Sequence, residues 1–195
     1  MGSSNAGLLV KRIAMKITSL DNPDVLLIEP EVFEDERGCF FEAFNQSRFT
    51  EAAQVDFSVR QINQSTSKRG VLRGLHYQLP PKSQAKLVRV LRGEIFDVAV
   101  DIRKNSPTFG GWVSQFLSAT NRKQLFVPKG FAHGFLALSE TTTIEYAQDE
   151  FYDPSLERIL KWSDADLGIN WPDIDPIAVI DRDQSGKALR DIEPC

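Results

Sequence analysis

The chain contains two histidines, and each lies in a segment interrupted by glycines. His76 stands in GVLRGLHYQ and His133 in PKGFAHGF. Flanking glycines let a ligand or another backbone approach closely, and an imidazole that titrates near neutral pH can act as a general base. The pattern therefore indicates acid–base chemistry at His76, while two polar residues satisfied near a protein surface remain the alternative interpretation.

Acid–base chemistry at a carbon atom also needs a proton donor on the opposite side, a group that orients the base, and a cation near developing negative charge. Tyr146 lies on a predicted strand and can donate a proton, although a tyrosine at a barrel rim would have the same sequence context. Lys86 and Asp97 lie on the segments between the two histidines. Aspartates are plentiful enough to orient the base.

A metal site is the main rival interpretation for a β-rich chain with histidines. Metal-binding cupins supply a His-x-His pair, a following Glu and a later His, which leaves an open position on the metal. Here the segment His76-Tyr77-Gln78 supplies a single imidazole. We therefore expect no metal, but two histidines with one carboxylate also suit iron, so that a metal-dependent cupin oxygenase remains an alternative.

Composition excludes several partners. A net charge of -4 provides no basic field for nucleic acid or an anionic membrane, and no apolar run is long enough to cross a bilayer. Glycine-rich phosphate loops are absent, so arginine and lysine side chains must hold any phosphates. Two cysteines, Cys39 and Cys195, cannot form a disulfide framework or a zinc site, which fits a reducing cytoplasm.

The elements that must position these residues are mostly strands. Short segments rich in Val, Ile, Leu, Phe and Thr alternate with Gly and Pro turns, which predicts an all-β sandwich or barrel. The predicted strands cover residues 25–28, 85–91, 94–102, 112–117, 124–127, 134–138 and 142–147. In FDVAVDIR, apolar Phe96, Val98, Val100 and Ile102 alternate with Asp97, Ala99, Asp101 and Arg103.

Helical patterns are few. Residues 45–53 predict a short helix, and residues 155–168 predict another turn or two. From Trp171 the chain is rich in Pro and Asp and is expected to wrap the barrel. Residues 1–14 are interpreted as an N-terminal extension or a cloning remnant, and residues 15–195 as a single domain.

Five long motifs, in one order, carry a family resemblance. They are FEDERGCFFE, QINQSTSKRGVLRGLHYQ, AKLVRVLRGEIFDVAVDIRKNSPTFGGW, LSATNRKQLFVPKGFAHGF and WSDADLGINWP. With these motifs the sequence resembles the dTDP-4-dehydrorhamnose 3,5-epimerase family from Pro23 to about Leu189. The resemblance implies a cupin-type jelly-roll β-barrel with a few short helices, working as a homodimer without metal or organic cofactor. The implied substrate is dTDP-4-keto-6-deoxy-D-glucose, and the implied product is dTDP-4-keto-L-rhamnose.

The resemblance also implies roles for individual residues. His76 aligns with the base, Tyr146 with the opposed acid, and Lys86 with the lysine near the keto oxygen. Asp183 aligns with the aspartate that orients the base, with Asp181 as a close competitor. The residues implied in substrate binding are Arg37, Glu42, Gln61, Asn63, Arg73, Asp97, His133, Phe33 and Tyr152.

The family exchanges a strand between subunits, so the resemblance implies that Arg37 and Phe33 serve the partner's site. A mono-epimerase acting at carbon 3 or carbon 5 would use the same residues and remains open. A 3,4-keto-isomerase is disfavoured by the intact RGLHYQ and the aligned Tyr146. A non-catalytic sugar-nucleotide binding module would lack the base or the acid, and both are present.

Overall fold

The computed structural model describes residues 15–195, so that the predicted N-terminal extension lies outside the described residues. Strands account for most of the regular structure in this part of the chain. They are β1 (Met15–Ser19), β2 (Leu26–Pro30), β3 (Val32–Asp35), β4 (Gly38–Phe41), β5 (Gln61–Lys68), β6 (Leu72–Gln78), β7 (Lys86–Arg92), β8 (Glu94–Asp101), β9 (Trp112–Ser118), β10 (Gln124–Val127), β11 (Phe131–Ala137), β12 (Thr141–Gln148) and β13 (Glu157–Ile159).

The strands form two main antiparallel sheets and a separate hairpin. A six-stranded sheet runs β1-β2-β10-β7-β12-β5, and a five-stranded sheet runs β13-β6-β11-β8-β9. Strands β3 and β4 pair only with each other among the described strands. Apolar side chains of both sheets, among them Val88, Ile144, Ile95 and Phe135, form the core between them. This arrangement confirms the predicted all-β jelly roll.

Strand β8 shows why alternation alone does not define the inside of a barrel. Its apolar face, including Val98 and Val100, packs under the C-terminal segment with Trp171 and Ile174. The alternate face, which carries Ala99, joins the core between the sheets. Both faces of β8 are therefore buried, and Asp97 is wholly buried with them at 0% exposure.

The helical predictions had mixed outcomes. Helix α1 (Gln46–Ala53) is confirmed, and the Asn45 side chain caps it by accepting from the Arg48 N–H at 3.2 Å. The helical turn predicted in residues 155–168 is wrong, because this stretch forms β13 and hydrogen-bonded turns. Residues 157–159 of this stretch pair with β6, and this pairing outweighs local helix preference. A short helix α2 (Asp181–Gln184) was not predicted.

The C-terminal segment wraps the five-stranded sheet, as the sequence predicted. Ala178 forms a parallel bridge with Val71, and the Cys195 N–H donates to the Ile102 carbonyl at 3.0 Å. This path brings α2 against β6, close to His76. None of the helices in residues 15–195 has the length and apolar character of a membrane span.

Candidate active site

A cavity of about 390 Å³ opens between the two sheets. Strands β6 and β11 supply one wall, and strands β5, β7 and β12 supply the other. Eight of the residues singled out in the sequence line it: Gln61, Asn63, Arg73, His76, Lys86, His133, Tyr146 and Tyr152. The structure thus brings together residues drawn from nearly half of the length of the chain.

His76 is oriented by a buried carboxylate. Its Nε2 lies 2.8 Å from Oδ1 of Asp183, which is 1% exposed. The other carboxylate oxygen accepts from the Gly74 N–H at 3.0 Å. Asp181 is exposed, so Asp183 is the aspartate that contacts the histidine.

The charge on Asp183 suits this orienting position. Burial raises the pKa of the carboxyl group, but the hydrogen bonds from His76 and Gly74 and the positive charge of Arg182 outweigh burial and hold it below its ordinary value. With Nε2–H donated to an ionised Asp183, Nδ1 of the imidazole keeps its lone pair. His76 can therefore accept a proton at Nδ1, and Asp183 stabilises the resulting imidazolium.

His133 forms a second histidine–aspartate pair beside the first. It lies directly opposite His76 in the β6–β11 ladder, and its Nε2 is 2.8 Å from Oδ1 of Asp97. Asp97 was predicted to bind substrate, but it is wholly buried and contacts His133 rather than lining the cavity. Its other oxygen, Oδ2, is buried without a hydrogen-bond partner.

Lys86 places a cation in the opposite wall. The residue is 8% exposed, and Nζ donates to the His76 carbonyl oxygen at 3.3 Å. Burial lowers the pKa of the ammonium group to about 8, against the opposing charges of Glu157 and Asp97. Lys86 is therefore mostly charged at neutral pH and can meet a negative charge that develops in the cavity.

Tyr146 lies on β12, in the sheet that faces the one carrying His76. Burial raises the pKa of its hydroxyl group, while a hydrogen bond from the cross-strand neighbour Asn63 and the charge of Arg73 partly oppose this rise. The hydroxyl group stays protonated at neutral pH. A proton acceptor and a proton donor thus stand on opposite walls of one cavity.

Charged and aromatic side chains surround the mouth of the cavity. The Tyr152 hydroxyl donates to Oε2 of Glu157 at 2.8 Å, and Nη2 of Arg182 donates to Oε1 of the same carboxylate at 2.8 Å. Arg73 on β6 donates from Nε to the Ser67 hydroxyl at 3.0 Å. Tyr152 is 46% exposed and offers a ring face at the mouth.

Besides Asp97, three of the predicted binding residues do not line this cavity. Phe33 and Arg37 lie on the β3–β4 hairpin, where Arg37 pairs with Asp35 and is 83% exposed at its side chain. Glu42 accepts from Arg48 at 3.0 Å near the start of α1. Within one subunit the structure therefore leaves these three residues apart from His76.

The cavity also contains residues that the sequence argument did not single out. Glu157 and Arg182 lie at the mouth, and three largely buried glutamines, Gln78, Gln84 and Gln148, form part of the wall. Gln78 ends the motif RGLHYQ that carries His76, and one residue separates it from His76 on the same strand. The other four had no signal in the sequence because nothing local marks them as neighbours of the histidines.

The hydrogen-bond partners of the two histidines are relevant to the alternative interpretation of a metal site. Each Nε2 is already paired with an aspartate. Within residues 15–195, His, Cys, Asp and Glu side chains nowhere gather in a group of three that could hold a metal ion.

Comparison with known proteins identifies the family. The sequence model of the dTDP-4-dehydrorhamnose 3,5-epimerase family matches residues 19–191. The dTDP-4-dehydrorhamnose 3,5-epimerase of Pseudomonas aeruginosa is 51% identical over 179 residues, which are 92% of this chain and 98% of the relative. A crystal structure of the dTDP-6-deoxy-D-glucose-3,5-epimerase from Legionella pneumophila, in complex with dTDP-4-keto-L-rhamnose, superposes with a TM-score of 0.89 at 43% identity and covers 92% of this chain and 95% of that one.

A structural neighbour with lower sequence identity is named for a different reaction. A 3'-monoepimerase from Streptomyces bikiniensis, in complex with dTDP-quinovose, superposes with a TM-score of 0.82 at 37% identity and covers 88% of this chain and 86% of that one. The matched region of the family model includes the whole wall of the cavity, from β5 to α2. This chain therefore belongs to the dTDP-4-dehydrorhamnose 3,5-epimerase family.

Proposed function

We propose that the chain is a carbohydrate epimerase that converts dTDP-4-keto-6-deoxy-D-glucose to dTDP-4-keto-L-rhamnose. One observation carries this proposal: the His76–Asp183 pair and Tyr146 lie on opposite walls of one cavity. An epimerase must remove a proton from one face of a carbon and return one to the other face. A base and an acid in opposed walls are the arrangement that this chemistry needs.

Proton abstraction falls to His76. Carbons 3 and 5 flank the 4-keto group, so that their protons become acidic when the oxygen is stabilised as an enolate. Nδ1 of His76 accepts the proton, while the ionised Asp183 holds Nε2–H and stabilises the imidazolium. General bases of this kind contribute about 10²–10⁴-fold to rates.

Lys86 stabilises the enolate. Its ammonium group lies in a largely buried position with a pKa near 8, so that the charge acts where little water screens it. Tyr146 then delivers a proton from the opposite wall, which inverts the carbon. The hydrogen bond from Asn63 and the charge of Arg73 favour the phenolate that remains after proton transfer.

The nucleotide part of the substrate is held near the mouth. Arg73 supplies a guanidinium group for the diphosphate, and the exposed face of Tyr152 can stack on the base. Gln61 and Asn63 provide amide groups in the same wall. Asp97 supports His133 from behind through their 2.8 Å hydrogen bond rather than touching the substrate.

We further propose that the active form is a homodimer in which the β3–β4 hairpin serves the partner's cavity. The hairpin pairs with no other described strand, and Phe40 on it is 62% exposed. Arg37 and Phe33 lie on this hairpin, and Glu42 follows it directly. Exchange between subunits explains why these three residues are absent from the cavity of their own subunit.

The domain and the compartment complete the proposal. We infer that residues 15–195 form a single epimerase domain, because the C-terminal segment packs on β6 and β8 rather than standing apart. A cytoplasmic location is supported by the two cysteines, Cys39 and Cys195, which are both free thiols.

The test is solvent deuterium incorporation into dTDP-4-keto-6-deoxy-D-glucose, followed by NMR at carbons 3 and 5. The unaltered protein should label both carbons and yield the L-rhamno product. His76→Asn should lose all exchange, whereas Tyr146→Phe should retain some exchange from the base side with net inversion impaired. Circular dichroism verifies that each variant is folded.

The same measurement separates the second candidate function. The similarity to a 3'-monoepimerase at 37% identity supports an enzyme that inverts one carbon with the same residues. Label and inversion at carbon 3 alone would replace the double epimerase by this mono-epimerase. A folded His76→Asn variant that exchanges protons at the wild-type rate would show that another residue is the base.

A further inference from the structure

Residues 150–153, called here the mouth segment, carry Tyr152 at the opening of the cavity. The segment belongs to none of the described strands or helices, and its residues 150–152 form no backbone-to-backbone hydrogen bond with the rest of the described chain. Phe151 in it is 55% exposed. Apolar burial and sheet pairing therefore contribute little, and the position of the segment must come from other contacts.

Gln78 holds the mouth segment as a neighbouring strand would. Its Nε2 donates to the Phe151 carbonyl oxygen at 3.0 Å and also to the Lys82 carbonyl oxygen. Its Oε1 accepts from the Asp153 N–H at 2.8 Å. One side-chain amide, 4% exposed, thus satisfies a backbone acceptor and a backbone donor of the segment.

A second contact runs through two further glutamines. Gln84 donates from Nε2 to the Glu150 carbonyl oxygen at 3.0 Å, and its Oε1 accepts from Nε2 of Gln148 at 2.8 Å. Oε1 of Gln148 in turn accepts from Nδ2 of Asn63 at 2.9 Å. Gln84 and Gln148 are 8% and 3% exposed, so both amides are removed from water.

Gln61 closes this chain on the mouth segment itself. Its Nε2 donates to Oδ1 of Asn63 at 3.0 Å, and its Oε1 accepts from the Tyr152 N–H at 2.9 Å. A series of four amides therefore begins at the Tyr152 N–H and ends at the Glu150 carbonyl. Each amide has one orientation that satisfies its neighbours, and reversal of any one would leave a donor or acceptor unpaired.

We propose that Gln78, Gln84 and Gln148 are positioning residues that hold the Tyr152 ring in place for the nucleobase of the substrate. This inference rests on the proposed function, and it assigns the glutamines to nucleotide binding rather than to proton transfer. A ring that is already in place binds a base without the cost of ordering the segment. Loss of the amide contacts lets the mouth segment leave this position. The association constant for the nucleotide is then multiplied by the fraction of time that the segment is in place.

Gln84→Glu is the sharpest single perturbation. The substitution preserves shape and an acceptor oxygen toward Gln148, but it sets a second oxygen against the Glu150 carbonyl that formerly accepted an N–H. We expect the dissociation constant for dTDP, measured by calorimetry, to rise by about tenfold, the usual scale for one lost buried hydrogen bond. The kcat for the sugar nucleotide should stay within about twofold, because the substitution leaves His76 and Tyr146 in place.

A matched control exists elsewhere in the chain. Gln124 is 2% exposed and donates from Nε2 to the Ala43 carbonyl oxygen at 2.7 Å, away from the cavity. Gln124→Glu therefore makes the same chemical change at an equally buried glutamine. It should lower the stability of the protein without changing dTDP affinity. An equal loss of affinity in both variants would show that the Gln84 substitution acts only through general destabilisation.

A double-mutant cycle with Tyr152→Ala tests whether Gln84 acts through the ring. In the Tyr152→Ala background, Gln84→Glu should cause no further loss of dTDP affinity. Additive losses, an unchanged dissociation constant, or a fall in kcat alone would each overturn the proposal. If Gln84→Glu does not fold, Gln84→Met removes the donor without adding charge and enters the same cycle.

The cycle is independent of the chemical step. Unaltered protein that binds dTDP but leaves dTDP-4-keto-6-deoxy-D-glucose unchanged would refute the proposed function, while the binding cycle would still decide the role of the glutamines. An active enzyme with additive losses in the cycle would refute the positioning role alone.

Discussion

Replacing Lys86 by methionine should make the protein more stable and nearly inactive. Lys86 is 8% exposed, and burial lowers the pKa of its ammonium group from the ordinary value of 10.5 to about 8. That fall in pKa means that the buried charge destabilises the folded protein by about 3 kcal/mol. Loss of the hydrogen bond to the His76 carbonyl oxygen destabilises the variant by about 1 kcal/mol. We therefore expect the free energy of unfolding to rise by about 2 kcal/mol at pH 7.

The gain should depend on pH in a defined direction. Below pH 8 the lysine is charged in both folded and unfolded protein, and the full cost of burial is present. Between pH 8 and 10.5 the folded protein releases its proton first, because its pKa is the lower of the two, and the cost declines. The stability advantage of Lys86→Met should therefore be largest at or below pH 7 and should disappear near pH 10.

Thermal unfolding at pH 7 and pH 10 provides the assay. A gain of about 2 kcal/mol raises the Tm of a chain of this size by roughly 4–8 °C, while loss of the enolate-stabilising charge should lower kcat by about 10²–10³-fold. Lys68→Met, at an exposed position on β5, is the control and should change stability by no more than about 0.5 kcal/mol. A Lys86→Met protein that is less stable than wild type at pH 7, or equally stabilised at pH 7 and pH 10, would refute this reasoning.

Three further predictions concern the rest of the site. Asp183→Asn should lower kcat by about 10²–10⁴-fold because the imidazole loses its orienting carboxylate, while Asp181→Asn should retain wild-type activity; the reverse order in steady-state assays would reassign the orienting group. Dialysis against EDTA should leave the rate unchanged, and a loss that iron or zinc restores would establish a metal enzyme. Mixing Arg37→Ala with His76→Asn should restore activity to about a quarter of wild type, since mixed dimers then contain one intact site; no recovery after subunit exchange would place Arg37 in its own subunit's site.

Much of the local structure could be predicted because it depends on neighbours in sequence. The helix predicted over residues 45–53 begins after Asn45, because that side chain accepts from a backbone N–H three residues later. Strands β10 and β12 were predicted to within about a residue at each end from apolar and β-branched content. The stretch 155–168 was mispredicted because pairing of β13 with β6 is a long-range contact that no local pattern reports.

The chemistry of the site was only partly visible in the sequence. His76, Lys86 and Tyr146 were chosen by residue type, and the family motifs added Asp183. Nothing local indicated that Glu157 and Arg182 share the mouth of the cavity with Tyr152, or that the mouth segment rests on buried glutamines. These contacts arise where separate strands and the C-terminal segment meet.

The sequence by itself determined the alternation that makes strands, the turns that separate them, and the residues able to exchange protons. Tertiary structure decided between Asp183 and Asp181, because Asp183 reaches His76 across 107 residues, and it paired Asp97 with His133 across 36. It also decided that the apolar face of β8 packs under the C-terminal segment while Asp97 turns inward. The physical reason is that backbone preferences depend on adjacent residues, whereas charge pairing and burial depend on the packing of distant segments, which exists only in the folded chain.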